Sequence, residues 1–174
     1  AYKWNLPQYA SPVVASNPLG GNCTFTVCYK AQAPEFLMPM AYGTGDSNVA
    51  EIDPFAAQFM WTNPTIACNP GLTSYSYDFK VVELYEGQQP DVAMDRNPVV
   101  YQLSGLLSNM CMLQFDIIQS RFPVNKTYIA QVTAKQRNAS ALDYVMIENG
   151  GKSNYRIFKF KDVTQKEDPK TDEE

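Results

Sequence analysis

The residues that could either bind a metal ion or form disulfides are four cysteines, Cys23, Cys28, Cys68 and Cys111. No pair has Cys-x-x-Cys spacing, and the chain has no histidine, so a zinc site would need all four. An even number of cysteines in a chain rich in Tyr, Thr and Asn fits an oxidising compartment, with buried free thiols as the alternative. Cys23 and Cys28 lie on opposite faces of one predicted strand, so they could bond to each other only across a bend or bulge.

Carboxylates could supply acid–base chemistry, since a pair of them can hydrolyse a glycosidic bond. The candidates are Glu83, Glu86 and Asp91, but such carboxylates in strands and turns are usually solvated. The missing histidine also removes the commonest general base. Asp46 and Asp53 do not have the spacing of a calcium loop. We therefore expect no catalytic residue, no cofactor and no metal site, and we do not expect an enzyme.

Composition limits the partners and the location. The chain has 174 residues, 45% of them hydrophobic, which is enough for one domain with a real core. Its net charge of -4 offers no basic face for nucleic acid. No apolar run approaches the roughly 20 residues that a membrane span requires. The opening AYKWNLPQYA lacks the features of a signal peptide, which fits a mature protein or a piece of a longer one. We expect the piece, because this stretch resembles the end of a preceding segment.

The segment that would organise the fold is residues 75–98. Tyr75, Tyr77, Phe79 and Val81 alternate with polar residues, which predicts a strand with one buried face. Pro90 suits the first turn of a helix, and the Asn-Pro step at 97–98 would end it. The pattern therefore predicts a strand followed by a short helix at 90–96.

The other predicted strands are short and are separated by turn residues. They are residues 23–29, an edge strand at 36–38, 55–62, 99–103, 111–118, a long strand within 122–135, and 144–147 and 155–160. The last two are predicted to form a hairpin around Asn149–Gly150. Short strands at about ten-residue spacing without helical periodicity indicate an all-β, antiparallel β-sandwich. We expect three parts: an N-terminal extension or end of a preceding β domain at 1–33, the sandwich at 34–161, and a disordered charged tail at 162–174.

Three motifs carry a resemblance to a known family: FMWTNP, YDFKVVELYEGQQPDVAMDRNP and FPVNKTYIAQVTA. Together they resemble a fibronectin type III-like (immunoglobulin-like) module, of the kind found in large envelope and secreted proteins of Bacteroidota, often with type IX secretion. The sequence departs from that pattern at Asn63, at Asn125 in place of Gly, and at Ala130 in place of Trp.

The resemblance implies roles for individual residues. Trp61 would be the core Trp of the second strand. Tyr128 would be the corner Tyr, with its ring inward and its hydroxyl bonded to backbone. The inter-sheet layer would be filled by Phe59, Tyr77, Phe79, Leu113 and Val132. The resemblance also implies a Cys68–Cys111 disulfide at one pole of the sandwich.

We expect a non-catalytic structural or protein-interaction module, a spacer or docking domain of a larger extracytoplasmic protein. Its partners would be other domains of the same chain or an envelope complex. The expected contact surfaces are edge strands, the loop at 62–73 and the segment 144–160, with Tyr144 and Met146 as contact candidates. The alternative is a carbohydrate-binding module that uses exposed aromatic residues among Tyr2, Trp4, Tyr9, Tyr42 and Tyr85.

Overall fold

The computed structural model describes residues 13–16, 22–25, 30–40, 49–65, 74–137 and 146–162. The described strands and helices are, in chain order, β1 (Val13–Ser16), β2 (Asn22–Phe25), β3 (Phe36–Met38), β4 (Ala50–Ile52), β5 (Gln58–Trp61), β6 (Tyr75–Leu84), α1 (Pro90–Arg96), β7 (Val99–Leu106), β8 (Met110–Met112), α2 (Phe115–Arg121), β9 (Thr127–Gln136), a 3₁₀ turn (Glu148–Gly151) and β10 (Arg156–Phe160).

Two sheets form the body of the fold, an all-β sandwich. Three strands pair in the order β3-β5-β8, and five pair in the order β4-β10-β9-β6-β7. All of these pairings are antiparallel except that of β4 with β10, which is parallel. The chain therefore crosses between the two sheets repeatedly, although β6 and β7, and likewise β9 and β10, are consecutive strands of the larger sheet. β1 and β2 form a separate antiparallel pair.

The longest strands, β6 and β9, pair over ten residues from Tyr75↔Gln136 to Leu84↔Thr127. The predicted alternation of β6 is confirmed, since Tyr77, Phe79 and Val81 are all buried. On β9, which is central in its sheet, both faces are covered for much of its length. These two strands provide the rigid surface on which the smaller sheet packs.

Aromatic side chains fill the space between the sheets. Phe59 on β5 contacts Phe79 and Phe158, with ring centroids 5.0 and 5.1 Å apart. Trp61 stacks on Phe79 at 6.1 Å and meets Tyr77 edge to face. Burying each such side chain contributes roughly 1.5–3 kcal/mol to folding, so this layer is the principal source of stability.

The helix expected at 90–96 is present as α1, and it covers the outer face of the larger sheet. Ala93 and Met94 pack with Val82 and Ile129 in a second, smaller core. Pro at the first position, Asp91 in the first turn and Arg96 in the last are the features that favour a helix here. Asn97 fixes its end by donating from Nδ2 to the Glu83 carbonyl at 2.7 Å.

The predicted strand at 111–118 is wrong beyond Met112, where the chain leaves the sheet and forms α2. Leu113, Phe115 and Ile117 do alternate, but Ile118 and Phe122 are buried at the four-residue spacing of a helix. The acidic Asp116 in the first turn and Arg121 in the last also favour a helix. A short apolar run fits both periods, and packing decides between them.

The predicted hairpin at 144–160 is also wrong in its pairing. Asn149 and Gly150 do form a turn with positive φ, of 50° and 61°. Ile147, however, bridges to Ala31, while β10 pairs with β9 and β4. Tyr144 lies outside the described residues. Two closely spaced β-rich segments suggested a local pairing, but each found a more distant neighbour instead.

The remaining differences between the predicted and the observed strands concern their lengths. The strand predicted at 55–62 is confined to β5, with Phe55 in the preceding turn, whereas the strand predicted at 99–103 extends to Leu106. Of the strand predicted at 23–29, β2 covers the part up to Phe25, and residues 26–29 lie outside the described residues. Most of the predicted 1–33 extension and of the 162–174 tail also lies outside the described residues. Within the described ranges, no helix is long and apolar enough to span a membrane.

Candidate interaction surface

The outer face of the three-stranded sheet is the candidate functional surface, and its orientation follows from the residues beneath it. On β5, Phe59 and Trp61 are fully buried against the larger sheet. Side chains alternate along a strand, so Met60 between them points outward. On β8 the buried residue is Cys111, which lies opposite Phe59 and leaves Met110 and Met112 on the outer face.

Strand pairing places three methionines side by side on this face. Met60 lies opposite Met110 on β8 and opposite Met38 on β3, where the register of β3 against β5 shifts between Phe36 and Met38. This irregularity separates the exposed Met38 from the buried face of Phe36, two residues earlier. We call Met38, Met60 and Met110 the methionine row. Neighbouring strands lie about 4.8 Å apart, so the three side chains are direct cross-strand neighbours.

Two more residues complete what we call the methionine face, which consists of the methionine row together with Gln58 and Met112. Gln58 lies opposite Met112 and donates from Nε2 to the Met110 Sδ at 3.7 Å. The exposed fractions are 38% for Met38, 45% for Met110 and 65% for Met112. The face therefore presents flexible, uncharged thioether side chains to solvent.

Backbone and side-chain hydrogen bonds fix the strands that carry this face. Trp61 N–H donates to the Asn109 carbonyl at 3.0 Å, and Asn109 Nδ2 donates to the Trp61 carbonyl at 2.9 Å. On the other side, Thr62 N–H donates to the Glu35 carbonyl, and Glu35 N–H donates to Thr62 Oγ1, both at 2.9 Å. These reciprocal pairs hold β8 and β3 in register with β5.

The apolar character continues in residues that adjoin the face along the chain. Leu37 and Met40 are 48% and 53% exposed. Phe55, in the turn before β5, is 68% exposed and stacks on Phe115 with ring centroids 4.3 Å apart. Large contiguous apolar surfaces on a folded domain mark interaction sites more often than isolated exposed side chains do.

The sequence did not single out these methionines. The signal for their orientation was present, since Met60 separates two aromatic residues and Met110 and Met112 flank a cysteine. Their grouping depends on the pairing of β3, β5 and β8, which come from distant parts of the chain. No local pattern contains that information.

The predicted core residues all lie in the principal core cluster: Phe59, Trp61, Tyr77, Phe79, Leu113, Tyr128 and Val132. The Tyr128 hydroxyl donates to the Pro123 carbonyl at 3.0 Å. Burial raises the pKa of the Tyr128 hydroxyl well above its usual value, and it raises that of Tyr77 to about 12. Tyr77 also donates a hydrogen bond to Asn63 Oδ1 at 2.7 Å.

The disulfide that the resemblance implied is absent from the structure, because Cys111 carries a free thiol. Its side chain is buried on the inner face of β8, and burial raises the pKa of the thiol to about 11. Cys68 and Cys28 lie outside the described residues, and of Cys23 only the strand is described. Cys111 faces apolar core residues, which is why it behaves as a small hydrophobic side chain.

Of the residues predicted to contact a protein partner or a glycan, the structure describes Met146 and Tyr85. Met146 is 58% exposed beside the bridge between Ile147 and Ala31. Tyr85 is 50% exposed in the turn that follows β6. The other candidate residues for contacts or glycan binding, Tyr2, Trp4, Tyr9, Tyr42 and Tyr144, lie outside the described residues, as does the loop at 66–73. Glycan binding by these aromatic residues stays a prediction.

The described carboxylates on the strands of the larger sheet form ion pairs with lysine side chains. Lys126 pairs with Glu83 at 2.8 Å, Lys159 pairs with Glu51 at 2.7 Å, and Lys135 pairs with Asp78. Partial burial raises the pKa of Asp78, but hydrogen bonds from Lys135 and the Gly105 N–H outweigh it and leave that pKa below its usual value. Within the described ranges, no group of three or more His, Cys, Asp or Glu residues could hold a metal ion.

No protein-family model, curated protein or solved structure matches this chain, so its function can be inferred only from its own residues and contacts.

Proposed function

We propose that this chain is a non-catalytic protein-interaction module of the fibronectin type III or immunoglobulin-like kind, and that it docks through the methionine face. In that kind of sandwich, strands alternate between two sheets by Greek-key connections. The strand order supports the assignment, because the chain passes from β5 to the larger sheet for β6 and β7, returns for β8 and crosses again for β9 and β10.

Local features near the start of β9 support the same assignment. The hydrogen bond from Tyr128 to the Pro123 carbonyl is that of a tyrosine corner. Asn125 stands where the resembled modules have Gly, and its φ of 68° lies in the left-handed region that Gly and Asn adopt most readily. Trp61 occupies the centre of the core, as the core Trp of such a module would.

The observation that carries the docking proposal is the methionine row. Met is enriched and charged residues are depleted at the centres of protein interfaces, which matches this face. Methionine side chains can also adapt to partners of different shape. By contrast, the described carboxylates in ion pairs and the absence of histidine give no support to a catalytic role.

The partner would be another domain of the same parent chain or a component of an envelope complex, and the setting would be extracytoplasmic. This part of the proposal is supported by the family resemblance of the three sequence motifs. A spacer role and a docking role are compatible, since an arrayed module can present one face to a partner. Turnover of a glycoside by the purified chain would contradict the non-catalytic part.

The docking face is tested by charge substitution at its most exposed positions. We expect Met110→Glu and Met112→Glu to reduce recovery of a co-purifying envelope component at least tenfold, because a charge at an interface centre must be desolvated. Val124→Glu, at a 47% exposed position before β9, is the matched control. Thermal melts verify that each variant is folded.

The same experiment separates this face from the alternative surface around Met146. Loss of binding with Met146→Glu alone, and full binding by the Met110 and Met112 variants, would place the partner on the other surface and reject our assignment. Equal recovery of the envelope component by the Met110, Met112 and Met146 variants and the Val124 control would reject docking through either surface.

A further inference from the structure

We propose that the methionine row binds one soft monovalent metal ion, Cu(I) or its analogue Ag(I), through the Sδ atoms of Met38, Met60 and Met110. Thioether sulfur is a soft, neutral ligand that selects Cu(I) over hard cations such as Mg²⁺ and Ca²⁺. It has no proton to lose, so binding requires no deprotonation.

The geometry that supports the site is the strand register. Met60 is the cross-strand partner of both Met38 and Met110, and the register shift of β3 between Phe36 and Met38 brings Met38 to the same outer face as the other two. Adjacent strands keep their backbones about 4.8 Å apart. Met38 and Met110 each lie one strand spacing from Met60, so the three unbranched side chains would converge over Met60 to place their sulfur atoms around one ion.

The surroundings favour a thioether ligand set. Four of the seven methionines of the chain, the row and Met112, lie on this one face of three short strands. The remaining residue of the face is Gln58, whose amide hydrogen bond to the Met110 Sδ already orients that thioether. The spacing of the cysteines and the missing histidine argue against zinc, but they do not bear on methionine ligands.

The proposal is tested by NMR of protein labelled with ¹³C in its methionine methyl groups, titrated with Ag(I). Accessible cysteines are first blocked with iodoacetamide, since thiolates bind the same ion. We expect the methyl signals of Met38, Met60 and Met110 to shift together and to saturate at one equivalent. Met94, which is buried, and the exposed Met146 should not shift.

Variants make the assignment specific. Met60→Leu should weaken Ag(I) binding at least tenfold, as followed by the Met38 and Met110 signals, and Met110→Leu should do the same. Met40→Leu, at an exposed position outside the row, should leave binding unchanged, and so should Cys111→Ala beneath the sheet. The unshifted methyl signals report whether each variant is folded.

Parallel shifts of Met40 and Met146 at the same Ag(I) concentration would show adventitious binding and overturn the proposal. Absence of any shift in the row with excess Ag(I) would overturn it as well. The titration needs no protein partner, so its outcome is independent of the docking proposal.

Discussion

Met60 on β5 lies directly opposite Met110 on β8, on the outer face of a sheet whose inner face is filled by aromatic side chains. The two faces of β5 therefore have different roles. Phe59 and Trp61 bind the sheets together, and Met60 belongs to a surface that no described part of the chain covers completely.

The tyrosine corner should contribute to stability through one hydrogen bond. Tyr128→Phe keeps the buried ring but removes the hydroxyl that donates to the Pro123 carbonyl at 3.0 Å. We expect the free energy of unfolding to fall by about 1–2 kcal/mol in urea denaturation. Tyr85→Phe, at an exposed position, should change it by less than about 0.5 kcal/mol. Equal effects of the two substitutions would argue against a stabilising corner.

Ser153 should stabilise β9 by supplying the hydrogen bonds that a neighbouring strand would otherwise give to Val132. It is buried beside β9, where the Val132 N–H donates to Ser153 Oγ at 3.0 Å and the Ser153 N–H donates to the Val132 carbonyl at 2.8 Å. Ser153→Ala leaves a buried N–H without its acceptor and should cost about 1–3 kcal/mol of unfolding free energy. Ser120→Ala, on the exposed side of α2, is the control. A neutral Ser153→Ala would mean that another acceptor serves Val132.

Two glycines with similar φ should respond differently to substitution. A Cβ on Gly151, at φ 81°, would lie 2.2 Å from the Ala134 carbonyl oxygen, whereas a Cβ on Gly105, at φ 72°, would meet nothing within 4 Å. Gly105→Ala should therefore cost only the conformational term of roughly 1–2 kcal/mol. Gly151→Ala should lower the free energy of unfolding by clearly more than that, because the backbone at Ala134 must also move. Chemical denaturation of both variants measures the difference, and an equal loss would contradict the close approach.

How far the sequence could predict this fold depends on whether a residue's environment is local. The burial of Tyr77 and Phe79 and the extent of α1 follow from alternation and from helix-end residues. The pairing of Ile147 with Ala31 does not, because its partner is more than a hundred residues away. The methionine row was missed for the same reason. Met60 alternates with Phe59 and Trp61 in the sequence, but the adjacency of Met38, Met60 and Met110 is a property of the register.

Cys111 should titrate and react as a buried thiol. Because its pKa in the folded state is raised to about 11, the unfolded chain loses its proton first. Stability is therefore fully present below the ordinary thiol pKa and is lost as the pH rises toward the folded value. Tyr77, with a pKa near 12, acts in the same direction at higher pH.

The measurement is the free energy of unfolding between about pH 9 and 11 for the parent chain and for Cys111→Ala. The variant should lose a slope of up to about 1.4 kcal/mol per pH unit. Peptide-resolved alkylation at pH 8 should label Cys111 only after unfolding. Rapid labelling of the native protein at this position would show that the thiol is accessible.

The most direct test of the methionine face is peptide-resolved oxidation of the methionines by hydrogen peroxide, measured with and without the bound partner. In the free chain, Met112 and Met110 should form sulfoxide quickly and the buried Met94 slowly, because oxidation follows exposure. In the complex we predict protection of Met38, Met60, Met110 and Met112, with no change at Met146. Protection of Met146 while the face oxidises at its free rate would contradict docking through the methionine face.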